Sequence, residues 1–287
     1  MALVSAAAFG SLSILAKLAY AAGLGTFQLL AFRFVLAGGG MLALALVARQ
    51  SPLVLPRRRM LALFAVGALI YTAQSLSYFT ALRSLPASLC VLIVYMYPSF
   101  VVLAGWIFLR QAVSRWHVVA LVASFAGLVL LVGGAHLTLS WALAFAIASA
   151  VIYTAYIMVG ERVMSGVPAI PANALIMCGA ALSFCILAAA GGQLSVPKTS
   201  GGWAAGIALA LLPTMVAISF FMAALPRIGG ARAALLSTLE PVITVLLAVV
   251  ILGDRLTAPQ VVGGALVLMA LVLVQAAHLW SPRAPLK

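Results

Sequence analysis

Long apolar runs divide this chain, and short polar or turn-forming connections separate them. The runs fall at approximately 2–22, 27–49, 59–82, 85–109, 115–133, 139–159, 170–191, 202–224, 230–252 and 258–279. The breaks carry Gly23 and Gly25, Ser51-Pro52, Pro86, Ser114-Arg115, Gly133-Gly134, Pro168 and Pro171, Gly201-Gly202, Gly229-Gly230 and Pro259, the residue types that punctuate helices. A run of about 20 apolar residues matches the hydrocarbon thickness of a bilayer. A backbone in lipid must satisfy its own hydrogen bonds, so each run predicts a helix. The runs do not alternate with period two, which argues against an outer-membrane barrel. The expectation is an all-α integral membrane protein with ten transmembrane helices and no connection long enough for a soluble domain.

Composition supports that reading. Of 287 residues, 66% are hydrophobic and 7% are charged, where a soluble domain carries about 25% charged residues. Mean hydropathy is +1.27. An ordinary soluble enzyme, a disordered chain and a secreted module are excluded. The net charge of +13 would suggest nucleic acid in a soluble chain. Here most basic residues occupy connections between apolar runs, so they report topology and imply no nucleic-acid partner. With the N-terminus inside, Arg49, Arg57, Arg58, Arg59, Arg110, Arg115, Arg162, Arg227, Arg232, Arg283 and Lys287 lie on the cytoplasmic side. Arg83, Lys198 and Arg255 lie outside, and Lys17 and Arg33 fall within spans. An even number of helices returns the C-terminus to the cytoplasm.

The two halves correspond. A shift of 143 residues places Pro98 on Pro241 and Leu109 on Leu252. Matched mid-span prolines and matched helix counts predict two repeats of five helices, residues 1–137 and 138–287. Five is odd, so the second repeat is inverted relative to the first, an arrangement found in transporters with a site near the midplane.

The chain resembles the drug/metabolite transporter superfamily, in its EamA-type carrier branch. The residues that carry the resemblance are Lys17, Arg33-Phe34, Ala81-Leu82, Pro98, Glu240-Pro241 and Leu252-Gly253-Asp254. The family usually ends the last motif in Gly-Glu. The matching stretch of the first half, Leu109-Arg110-Gln111, lacks the acid, and Glu161 stands one residue out of register with Lys17. Within the branch the chain is similar to bacterial aromatic amino-acid exporters. The resemblance implies a secondary carrier in the inner membrane that moves a small metabolite, with no cofactor. A monomer would suffice, since one chain already supplies both repeats. A channel, or a carrier of drugs or nucleotide-sugar-like solutes, is the alternative.

Polar side chains in lipid should face the protein interior or a water-filled cavity, so helical spacing locates candidate walls. Tyr71, Gln74, Ser75 and Tyr78 share one face of the third span. Ser149, Tyr153 and Tyr156 share a face of the sixth with Gly160, and Ser237, Glu240 and Thr244 share one in the ninth. Tyr95 shares a face of the fourth with Ser88 and Ser99, beside Pro98. The substrate-binding candidates are Tyr71, Gln74, Ser75, Tyr78, Tyr95, Ser149, Tyr153, Tyr156 and Ser237; helix–helix packing is the competing role, above all for the serines. Glu240 is expected about 15 Å deep. It would carry a proton, capture a substrate ammonium, or cap carbonyls freed by Pro241. Lys17 and Arg33 are expected about 7–9 Å from the outer ends of their helices, as snorkelling anchors or as gating or carboxylate-binding charges at the outer mouth. Pro98 and Pro241 are the expected bending points, with each repeat rocking as its own bundle. Cys90, Cys178 and Cys185 have no metal-ligand spacing. No catalytic set, metal cluster or phosphate-cradling loop appears in the sequence.

Overall fold

The computed structural model describes residues 1–110, 113–133, 140–218, 220–221, 224 and 236–280. Among the described residues ten helices follow in chain order, eight long enough to cross a membrane and two shorter, α8 and α9: α1 (Ala2–Ala21), α2 (Thr26–Val47), α3 (Arg57–Ser84), α4 (Ala87–Leu109), α5 (Arg115–Gly133), α6 (Trp141–Met164), α7 (Ala169–Ala190), α8 (Ser200–Val216), α9 (Leu239–Leu252) and α10 (Ala258–Trp280). The protein is a multi-pass, all-α membrane protein built from two inverted five-helix repeats. The expected start of the ninth span at 230 lies outside the described residues, as do Arg227, Arg232, Arg283 and Lys287. The sixth helix runs five residues past its expected end, through Glu161 and Arg162 to Met164.

Local chemistry sets several ends. Ser140 caps α6 by accepting from the Leu143 N–H at 3.3 Å, and Thr199 caps α8 through the Gly202 N–H at 3.1 Å, each satisfying an orphan donor of the first turn. Arg110 (φ 51°) ends α4 and Gly253 (φ 71°) ends α9, both left-handed. These positions are 143 residues apart, so the repeat extends to the stop signal of the helix.

Among the described residues, three helices contain a π-helical turn. α3 contains a π-helical turn at Val66–Tyr71, α8 one at Leu211–Val216, and α9 one at Ala248–Leu252. The first two occupy repeat-equivalent helices. A π-turn shifts the backbone ladder by one residue, and side chains serve the displaced carbonyls in α3: Thr72 Oγ1 donates to Gly67 O at 2.9 Å and Ser183 Oγ to Ala68 O at 2.8 Å. α4 is interrupted at Tyr95–Met96, between helical stretches Ala87–Val94 and Tyr97–Leu109. Pro98 sits at the second helical position after the break, where its missing N–H costs nothing. In α9 a turn at Thr238 likewise precedes Pro241. The irregularity expected at the prolines therefore lies just before them, and the π-turns of α3 and α8 add sites that proline does not mark.

The packing crosses the repeats. α2 lies along α7 and α5 along α10, each pair being repeat-equivalent helices. Glycines let the α5–α10 backbones meet: a Cβ on Gly127 would stand 2.7 Å from Gly263 O, and one on Gly263 equally close to Gly127 O. α1 packs on α8 and α9, with Ser5 Oγ donating to Ala217 O (2.8 Å) and Thr244 Oγ1 to Gly10 O (2.9 Å). α6 reciprocally packs on α3 and α4, where Gln74 Nε2 donates to Ser149 Oγ (3.1 Å) and Thr154 Oγ1 to Tyr97 O (3.4 Å). The expectation that each repeat forms its own bundle is corrected. The first helix of each repeat is exchanged into the other, because its partners lie there.

Candidate functional site

One cavity of about 500 Å³ lies where the exchanged helices meet, lined by residues from α1, α2, α3, α4, α6, α7, α8, α9 and α10. Its aromatic wall is a continuous series of tyrosine rings. Tyr95 and Tyr97 stand 6.0 Å apart between centroids, Tyr97 and Tyr153 4.6 Å, Tyr153 and Tyr156 5.6 Å and nearly parallel, and Tyr156 and Tyr71 5.0 Å. Such contacts add to simple area burial. The break in α4 is what admits both Tyr95 and Tyr97. Two residues apart on a regular helix they would point in directions about 200° apart.

A charged group stands at each end of this series. Glu240 lines the cavity beside the Tyr95 hydroxyl. At the other end Arg33 stands beside the Tyr71 hydroxyl. Its guanidinium lies 4.8 Å from the Phe34 ring centroid and 5.4 Å from that of Phe79, in reach of cation–π attraction. Arg33 is only 3% exposed and lines the cavity. The expectation of an interfacial anchor is corrected: depth along a helix does not say which face a residue occupies, and this one faces inward.

The side of the bundle away from the chain's start is closed. The Ser13 and Tyr78 hydroxyls are 2.5 Å apart, and the Tyr20 hydroxyl donates to Phe79 O at 2.9 Å. Beyond them lies a fully buried layer that includes Leu29, Leu30, Leu82 and Leu89. Asp254 adds a tie between repeats, accepting from both the N–H and the hydroxyl of Ser88. The cavity extends the other way, to Asn173 in the first turn of α7 and Gln275 late in α10.

Of the sequence candidates, Tyr71, Gln74, Ser75, Tyr78, Tyr95, Tyr153, Tyr156, Ser237, Arg33 and Glu240 line the cavity. Ser149 does not: it is fully buried behind the wall and holds Gln74. Lys17 is also off the cavity, half-buried near Asp254 and Cys90 on the closed side. Pro98 and Pro241 are buried beside the wall without lining it. The spacing argument missed Tyr97, Asn173, Thr214 and Gln275, all of which line the cavity. Pro98 was the available signal for Tyr97. The other three are single polar residues in apolar stretches and make no stripe. Arg33 Nε, Thr214 Oγ1 and Gln275 Oε1 are buried without a hydrogen-bond partner among the described residues. Buried polar atoms are normally satisfied, so these are groups for a solute or for water. The arrangement can hold a small molecule with an apolar or aromatic body and polar ends. No cluster of three His, Cys, Asp or Glu side chains suited to a metal occurs among the described residues.

Two inverted repeats around a shared cavity are the arrangement of a class of membrane transporters. The chain belongs to the EamA-like transporter family, within the drug/metabolite transporter superfamily, and the family matches residues 1–133 and 140–276. A solved crystal structure shares the fold with a TM-score of 0.68 over 98% of this chain and 97% of that one, at 23% identity. No curated protein matches the sequence.

Proposed function

We propose that this protein is a secondary carrier for amino acids, aromatic or other neutral ones, working by alternating access as an exporter of the bacterial inner membrane. The observation that supports this most is the tyrosine-walled cavity containing Glu240, assembled from both repeats (1–137 and 138–287) and, among the described residues, sealed on the side of Ser13 and Tyr78. Tyrosine rings favour flat, apolar side chains through stacking and area burial, and an acid in a site shielded from water favours a substrate ammonium. Tyr71, Gln74, Ser75, Tyr78, Tyr95, Tyr153, Tyr156 and Ser237 form the substrate wall in this reading. Ser149 and Lys17 act from outside it.

A carrier needs one mouth closed while the other is open, which is the state described by the Ser13–Tyr78 seal. The surplus of Lys and Arg puts both termini in the cytoplasm. The cavity then opens toward the cytoplasm and loads there, as export requires. Counterflow in proteoliposomes tests the proposal. Labelled phenylalanine should accumulate against trapped unlabelled phenylalanine. Conductance without exchange stimulation would indicate a channel, and no exchange across a panel of the twenty amino acids would reject the substrate class.

A further inference from the structure

We propose that Arg33 is the carboxylate-binding group of the transported solute. The proposal rests on the carrier reading above and narrows it: the solute must carry an anionic carboxylate. The argument begins with a count of acids. The sequence has three acidic side chains, Glu161, Glu240 and Asp254. Asp254 is engaged with Ser88 at 2.8 and 3.0 Å. Glu161 is exposed near the end of α6. Glu240 has Tyr95 as its side-chain partner. Among the described residues, none of the three pairs with Arg33. Its neighbours are the Tyr71 hydroxyl and the rings of Phe34 and Phe79.

A buried guanidinium without a counter-ion is costly, and arginine does not shed its charge. Among the described residues no acid supplies the missing anion, so the solute is assigned to supply it. The unpartnered Nε belongs to the side-on fork with which arginine grips a carboxylate through two parallel bonds. The cavity sets the pose. Arg33 and Glu240 are joined along one wall by Tyr71, Tyr156, Tyr153, Tyr97 and Tyr95. The carboxylate sits at the Arg33 end, and the apolar body lies along the rings.

The test is thermal unfolding of the purified full-length protein with compounds that differ by one group: phenylalanine, 3-phenylpropionate, which lacks the ammonium, and phenethylamine, which lacks the carboxylate. Sodium chloride forms a separate arm. We expect phenylalanine and 3-phenylpropionate to raise the melting temperature of the wild type while phenethylamine does not. Arg33→Gln should weaken both carboxylates by roughly tenfold or more, with Arg33→Lys between. Equal stabilisation by phenethylamine and phenylalanine would overturn the Arg33 assignment and leave the carrier reading intact. So would an equal effect of chloride alone, which would make the anion inorganic. Stabilisation by 3-phenylpropionate without phenylalanine would support Arg33 and reject the amino-acid reading. Failure of every carboxylate to bind would overturn the assignment outright, while counterflow would still decide transport. The wild-type comparison holds even if neither variant folds.

Discussion

Asp254 of the second repeat caps the helix that begins beside Ser88 of the first. One carboxylate oxygen accepts from the Ser88 N–H at 3.0 Å and from its hydroxyl at 2.8 Å. A negative charge at a helix N-terminus also complements the helix dipole. The tie lies on the closed side, and the repeat-equivalent position in the first half is Gln111. Asp254→Ala should lower stability by about 1–2 kcal/mol, the usual size of a lost cap. It should also open the closed side more often. Cys90, fully buried beside this cluster, reports that opening. With Cys178 and Cys185 replaced by Ala, maleimide should label Cys90 faster in Asp254→Ala than in Asp254. Equal labelling would show that the tie does not hold the seal.

The Glu240–Tyr95 pair separates charge from shape. Glu240→Gln keeps the volume and an acceptor but cannot ionise. It should abolish phenylalanine counterflow or flatten its pH profile while the protein still folds. Tyr95→Phe removes the hydroxyl beside Glu240 and should cost roughly tenfold in apparent affinity. Unchanged rate and pH profile in Glu240→Gln would reduce the carboxyl to a structural group.

Stability and transport should part company at the α5–α10 contact. A methyl on Gly127 would press on the Gly263 backbone, and backbone cannot move aside as a flexible side chain can. Gly127→Val should cost about 1–3 kcal/mol or more, read as a lower melting temperature in detergent. Neither glycine lines the cavity, so the folded fraction should keep wild-type phenylalanine affinity.

Orientation is testable in whole cells. Leu53, in the connection between α2 and α3, is 78% exposed. A cysteine placed there should react with an impermeant reagent only after the cells are broken. Reaction in intact cells would invert every inside–outside assignment.

The ten spans were legible because lipid imposes both a length and a hydrogen-bonding requirement, and an apolar run records both. The wall of Gln74, Ser75 and Tyr78 was legible because α3 is regular α-helix from Thr72 onward, where 3.6-residue spacing applies, and Tyr71, the last residue of the π-turn, lines the same cavity. Tyr97 escaped because the break at Tyr95–Met96 suspends that spacing where it was being used. For Arg33 the sequence left an anchor and a gating or carboxylate-binding charge both open, because distance along a helix gives depth but not facing; its inward aim depends on rings from α2 and α3 around it. The exchange of α1 and α6 between repeats was not legible at all. It is decided by which helices meet, and no local pattern in either helix encodes its partner.

That exchange bears on how the chain is made. Ser5 bonds across 212 residues of sequence and Gly10 across 234. At about 5–20 residues per second, the ribosome needs on the order of 10–50 s to produce α8 and α9 after α1 has emerged. Throughout that interval α1, with Ser5, Ser13 and Lys17 along it, has none of its final neighbours in those two helices. Assembly in the membrane must wait for the last quarter of the polypeptide. A nascent chain arrested before α9 therefore holds its first helix without its mate.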